Sequence, residues 1–163
     1  MEYTAHYDSP LGGITLASDG EALTGLWFNG QKHFGSTLGS LASFPAQLPV
    51  FDETCRWLNV YFSGCEPDFT PSLLLKGTVF QRRVWKSLLA IPYGQTVTYG
   101  ELARRLDCRS AQAVGGAVGR NPISLIIPCH RVVGADGSLT GYAGGLDRKR
   151  ALLELEQKNY FAN

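Results

Sequence analysis

Thr98-Tyr99-Gly100-Glu101-Leu102-Ala103-Arg104-Arg105-Leu106-Asp107-Cys108-Arg109-Ser110-Ala111-Gln112-Ala113-Val114-Gly115-Gly116-Ala117-Val118-Gly119 is the stretch on which the fold turns. Thr98 with Glu101 three residues later has the form of a capping box and opens a short helix through Leu106. Asp107-Cys108-Arg109 interrupts it, and Ser110 can cap a second helix to about Gly119. Two short helices joined by such a turn make a helix-turn-helix candidate, a pattern that an ordinary α-hairpin shares. On the second helix Ala111, Val114 and Val118 form the predicted core ridge, whereas Gln112, Gly116 and Gly119 share another face. Small residues there allow close backbone approach to a partner, or tight helix packing.

Toward the N-terminus, Thr78-Val79-Phe80-Gln81 is another capping box. Phe80, Val84, Trp85, Leu88 and Leu89 follow on one helical face, ended by Pro92-Tyr93-Gly94. Phe51 to Phe62 carries Phe51, Cys55, Leu58 and Phe62 at helical spacing and stops at Ser63-Gly64. Residues 3–28 alternate apolar stretches with turn clusters around Asp8 to Gly13 and Ser18 to Glu21, which predicts three short strands. Residues 29–50 read as an irregular connection, and Glu66 to Leu75 as a linker with a short extended piece. The class is therefore α+β. A strand-rich N-terminal domain (1–75) precedes a mostly helical C-terminal domain (76–163) that contains the helix-turn-helix.

Toward the C-terminus, Asn121-Pro122 breaks the helix. Ile123 to Ile127 is an apolar run, predicted as a buried strand leading into Pro128-Cys129-His130-Arg131. Val132-Val133 suggests a strand, Gly141 to Gly145 a loop, and Asp147 caps a final helix to about Lys158. Cys129 alone among the cysteines is followed at once by a histidine. The nucleophilic form is the thiolate, which needs a base or a positive charge beside it, and Arg131 adds charge nearby. Neighbours in an extended chain point to opposite faces. Either the chain bends sharply at Cys129, or a water relays its proton to His130.

On the last helix, at about 100° per residue, Leu152, Leu153 and Leu155 centre an apolar stripe. Glu156 falls inside that stripe and Glu154 opposite it. A carboxylate facing a core needs a partner, and an imidazole is a suitable one. The alternative is a solvated place at the stripe's edge.

The bulk numbers exclude several classes. Of 163 residues, 44% are hydrophobic and 18% charged, an ordinary globular balance. No apolar run approaches a membrane span, and Met1 to His6 lacks a signal-peptide pattern, so a cytoplasmic protein is expected. Without a C-x-x-C pair or ligand-spaced histidines, no metal, cofactor or disulfide is expected. The net charge of +1 hides an asymmetry. Residues 1–75 hold two basic against eight acidic side chains, and residues 76–163 thirteen against six. A polyanion would prefer the C-terminal half.

Asn121 to Gly134, NPISLIIPCHRVVG, resembles the signature of O6-alkylguanine-DNA alkyltransferases. The resemblance extends from Gly77 through Glu156. It includes Tyr99 to Ala103, Ala113 to Ala117 and Thr140 to Gly145, and is looser in the N-terminal half. It implies a small ribonuclease H-like N-terminal domain and direct-reversal DNA repair. Cys129 would accept an alkyl group from O6 of guanine, and from O4 of thymine, in one irreversible turnover. His130 would remove the Cys129 proton through a water, with Glu156 orienting it and Asn121 bracing the turn. Tyr99 would serve the departing guanine, while Val132, Tyr142 and Ala143 line the pocket. Ala111, Gln112, Ala113, Gly115 and Arg120 would meet double-stranded DNA, from which the damaged base is flipped. The expected protein is a monomer that binds no membrane.

Two departures stand out: Gln112 replaces a common arginine that fills the space of the flipped base, and Ala143 a common serine. Two rival readings remain. Alkyltransferase-like damage binders carry tryptophan in place of the acceptor cysteine, against which Cys129 argues. A cysteine hydrolase would need an oxyanion hole and leaves the basic half unexplained.

Overall fold

The computed structural model describes residues 2–36, 38 and 44–161. The chain divides into two compact units. One runs to Lys76 and takes in Pro122–Ser124; the other comprises Gly77–Asn121 and continues from Leu125.

In the first unit β1 (Tyr3–Ser9), β2 (Gly12–Ser18) and β3 (Leu23–Phe28) form an antiparallel meander, and β4 (Phe44–Pro45) adds in parallel to β1. The β1–β2 turn closes because the Ser9 hydroxyl accepts from Leu11 N–H (3.1 Å) and donates to the Gly12 carbonyl (2.6 Å). Gly12 sits at φ 119°, which a side chain would disfavour. Leu26 N–H donates to the Pro122 carbonyl (2.9 Å) and its own carbonyl accepts from Ser124 N–H (2.9 Å). Helix α1 (Pro49–Phe62) opens on a proline, where a missing N–H costs nothing, and buries Phe51, Trp57, Leu58 and Tyr61 against the sheet. It ends in a Schellman motif: Gly64 at φ 93° donates to Tyr61, and Cys65 to Val60. Part of the predicted irregular connection is thus β4; positions 37 and 39–43 lie outside the described residues.

The second unit holds α2 (Val79–Leu88), β5 (Val97–Thr98), α3 (Tyr99–Arg105), α4 (Ala111–Gly119), β6 (Val132–Val133) and α5 (Leu146–Phe161). The Thr78–Gln81 capping box closes in both directions (3.0 Å each). At Thr98 the forward bond from Glu101 N–H forms (3.1 Å). Ser110 accepts from Ala113 N–H (3.0 Å). Between α3 and α4 a second Schellman motif uses Asp107, at φ 53°, where glycine is usual; Cys108 N–H reaches the Ala103 carbonyl (2.9 Å). Trp85 Nε1 donates to the Ala117 carbonyl (2.8 Å) and locks α2 onto α4.

Four sequence expectations are corrected. Ile123 to Ile127 is a run of turns after one isolated bridge, not a strand, because Leu125 at φ 71° reverses the chain. Ala111 is exposed in the first turn of α4, whose buried ridge is Val114, Ala117 and Val118. Leu155 is half-buried, so the α5 stripe centres on Leu152 and Leu153. Helix α5 begins at Leu146, which puts Asp147 inside its first turn instead of at the cap.

Candidate active site

The chain bends at Cys129. Cys129–Arg131 forms one turn of 3-10 helix, with Cys129 N–H donating to the Ile127 carbonyl (2.8 Å) and Arg131 N–H to Pro128 (3.0 Å). The Asn121 side-chain amide donates to the same Ile127 carbonyl (2.7 Å), so α4's end and the turn are held at one point. The sharp bend that the sequence allowed for is present.

Cys129 is 5% exposed. Burial pushes its thiol above the ordinary range; Asn121, the Lys149 charge and the backbone N–H groups of Cys129 and His130 oppose this. The resting group is a thiol, and attack requires its deprotonation.

His130 and Glu156 are both fully buried and meet at 2.6 Å, Nε2 to Oε2. Burial pushes Glu156 up, but His130 and Arg131 outweigh it and leave its carboxyl well below the usual range. An ionised carboxylate only accepts, so Nε2 carries the hydrogen and Nδ1 is the basic nitrogen. Burial pushes His130 below its ordinary range, against the pull of Glu156. The imidazole is therefore neutral at rest and able to take a proton.

Arg131 does not aim its charge at Cys129. Its Nε donates to Glu156 Oε1 (2.8 Å) and its Nη1 to the Ile91 carbonyl (2.7 Å).

Lys149 is a residue that sequence reasoning missed. Fully buried on α5, its ammonium donates to the carbonyls of Val132 (2.6 Å), Thr140 (2.9 Å) and Gly141 (3.3 Å). Burial pushes it down to about 8. The signal was present, since Lys149 lies seven residues before Glu156 on the same helical stripe. Tyr99, at the first position of α3, donates to the same Thr140 carbonyl (3.3 Å). Burial and the neighbouring Cys129 push its phenol up, so it stays protonated.

The remaining predicted residues fall into two groups. Val132 is buried beside the turn; Tyr142 and Ala143 are half-buried, with the Tyr142 ring edge-on to His130 at 6.5 Å between centroids. Ala111, Gln112, Ala113 and Arg120 are exposed along or just after α4. Gly115 turns toward Tyr99, where an added Cβ would lie 3.7 Å from the ring, while Gly116 and Gly119 face open space. No helix among the described residues is long and apolar enough to cross a membrane.

Residues 3–75 match the model for the ribonuclease-like domain of 6-O-methylguanine DNA methyltransferase, and residues 79–158 the model for its DNA-binding domain. The methylated-DNA–protein-cysteine methyltransferase of Mycobacterium bovis is 49% identical over 93% of this chain and 92% of its own. The crystal structure of Mycobacterium tuberculosis O6-methylguanine methyltransferase superposes with a TM-score of 0.86 at 48% identity, covering 98% of this chain and 94% of that one. A Mycobacterium tuberculosis OGT in complex with DNA gives 0.85 at 47% identity, over 97% and 93%.

Proposed function

This chain belongs to the 6-O-methylguanine DNA methyltransferase family, and from that membership we propose how its own residues carry out the repair. It reverses damage directly, moving an alkyl group from O6 of guanine in duplex DNA to Cys129, in a single turnover. The observation that carries the site assignment is a buried cysteine on the same turn as a histidine whose far nitrogen is fixed by a buried carboxylate.

Cys129 gives its proton, through a water, to His130 Nδ1. The sulfur attacks the alkyl carbon; the S–C bond forms, the C–O6 bond breaks, and its electron pair returns to the purine. Tyr99, protonated and beside the thiol, supplies a hydrogen bond or proton to the departing base. The product thioether has no carbonyl for water to attack, which ends the cycle. Val132, Tyr142 and Ala143 line the pocket. Asn121 braces the turn, and the α4 residues Ala111, Gln112, Ala113 and Gly115, with Arg120, contact DNA holding the flipped base. O4-alkylthymine presents the same alkyl–oxygen bond and belongs to the same substrate class. A cysteine that must stay reduced suits a cytoplasmic protein, and the proposed unit is a monomer.

The test is incubation with a duplex carrying O6-methylguanine, followed by intact-protein mass and peptide mapping. One added methyl group on Cys129, absent in Cys129→Ser, is expected. Label on Cys55, Cys65 or Cys108 would overturn the assignment; tight binding without a mass gain would make the chain a damage binder, and turnover without one a hydrolase.

A further inference from the structure

We infer that Arg131 is a positioning residue of the transfer: it occupies one oxygen of Glu156 so that the other serves His130, and thereby keeps the Nε2 proton on the imidazole while Nδ1 takes the proton of Cys129. The inference rests on the reading of Cys129 as acceptor.

The geometry is a division of labour across one carboxylate. Oε2 faces His130 Nε2 at 2.6 Å, while Oε1 accepts from Arg131 Nε (2.8 Å) and Gly94 N–H (3.2 Å). Arg131 is itself held. Its Nη1 is on the Ile91 carbonyl (2.7 Å), its guanidinium lies 5.6 Å above the Tyr93 ring, and its side chain is 10% exposed. A planar fork fixed at both ends defines the plane of the carboxylate it binds, which a lysine could not do.

The charge matters as much as the shape. Once Nδ1 takes the Cys129 proton, a buried imidazolium–carboxylate pair could relax to two neutral groups by passing the Nε2 proton to Glu156. Burial favours that relaxation, because it removes two charges from a poorly solvating site. Arg131 cannot lose its proton, so a neutral Glu156 would strand the guanidinium beside it. With Arg131 in place the Nε2–H stays where it is, and only the S–H proton moves.

The groups facing the pair act in known directions. From α5 come Glu156 and Lys149, from the turn itself Arg131 and Cys129, and from the 134–145 loop Tyr142; Tyr93 flanks Arg131. Glu156 pulls His130 up, while Arg131 and Lys149 push it down. Removing the Arg131 charge therefore raises His130 and makes its neutral form scarcer at mildly acid pH.

The experiment compares wild type, Arg131→Gln and Arg131→Lys in single-turnover transfer, from O6-methylguanine duplex and from a small O6-benzylated guanine, between about pH 5 and 9. In parallel, His130 is titrated by NMR in each protein without substrate. Arg131→Gln should slow transfer by about ten-fold or more and move the acid limb and the His130 midpoint up by about one pH unit. Arg131→Lys should leave both midpoints in place and lose rate only. In a Glu156→Gln background, Arg131→Gln should add little. A rate loss with unmoved midpoints, or an undiminished cost in that background, would make Arg131 a packing residue and overturn the inference. If Arg131→Gln does not fold, Arg131→Lys decides, since a shifted limb or an unchanged rate there also overturns it. A wild type that gains no alkyl group sinks the functional reading instead, and the His130 titration still tests Arg131.

Discussion

The two units hold their chains together in different ways. In the first, three strands pair along nearly their whole length, and the interior is Ile14, Leu16, Leu26, Phe28, Leu58 and Tyr61, all fully buried and apolar but for one phenol. In the second, β5 and β6 are two residues each, and the long turns between helices have little backbone pairing of their own. Side chains supply what the ladder does not. Lys149 takes three carbonyls, Arg131 and Trp85 one each, and Asn121 another. A buried polar group is tolerated only when it is satisfied, so Lys149, Arg131 and Asn121 each fix a loop in one place, while Trp85 fixes α4 against α2. Strand pairing makes a frame, and buried polar anchors make a site. The proposed machinery for moving a proton sits in the second unit because, among the described residues, only there are charged side chains buried together.

The contrast between frame and site depends on the anchors being irreplaceable. His130→Ala and Glu156→Gln should each slow transfer by more than about ten-fold, and the double change should cost little more than the worse single one. Leu16→Ala in the first unit should instead cost about 2–5 kcal/mol of stability and leave the transfer rate per folded molecule unchanged. Single-turnover rates together with urea unfolding check both. Additive losses at His130 and Glu156, or a Leu16 variant that is stable but slow, would erase the distinction.

A smaller effect sharpens it through pH. His130 is held below its ordinary value of 6.5, so below that value the unfolded chain takes up a proton that the folded chain does not. Stability then falls as the pH drops from about 6.5. Glu156, held ionised below its ordinary 4.5, adds a loss of the same sign at lower pH. Urea unfolding at about pH 7.5, 6 and 5 should show this slope, with His130→Asn flattening its upper part. Leu16→Ala should shift the whole curve down without changing its shape.

Legibility in the sequence follows the same divide. The three strands and the capped helices were readable because alternation, turn residues and caps are local signals. Phe44–Pro45 was not, since two residues become a strand only through the distant partner β1. The turn at Leu125 lacks the glycine that marks a left-handed residue, and so does the helix end at Asp107, which was readable only from the Asp107-Cys108-Arg109 break. Glu156 could be singled out by its place in an apolar stripe. The acceptors of Lys149 and Arg131 could not, because a backbone carbonyl leaves no mark on the sequence that supplies it.

The smallest expected effect lies on the exposed face of α4, where the contrast is between the surface proposed to meet DNA and the interior of the same unit. Gln112 is exposed in the first turn of α4, away from the buried network. It can hydrogen-bond to an orphaned base but carries no charge to meet phosphate. Opening a duplex costs a few kcal/mol of unstacking, least at a damaged pair, and a side chain filling the gap offsets part of that. Gln112→Arg should therefore tighten duplex binding and steepen its salt dependence by roughly one contact. Gln112→Ala should weaken duplex repair. Neither should alter transfer from a small O6-benzylated guanine, because no duplex has to open and the Cys129 network is untouched. The measurement is the ratio of duplex to small-substrate rates for Gln, Arg and Ala at this position. A constant ratio would mean that Gln112 takes no part in holding the base out. A ratio that changes through the small substrate would mean that the surface of α4 and the buried network are coupled, and that the separation of frame from site is drawn in the wrong place.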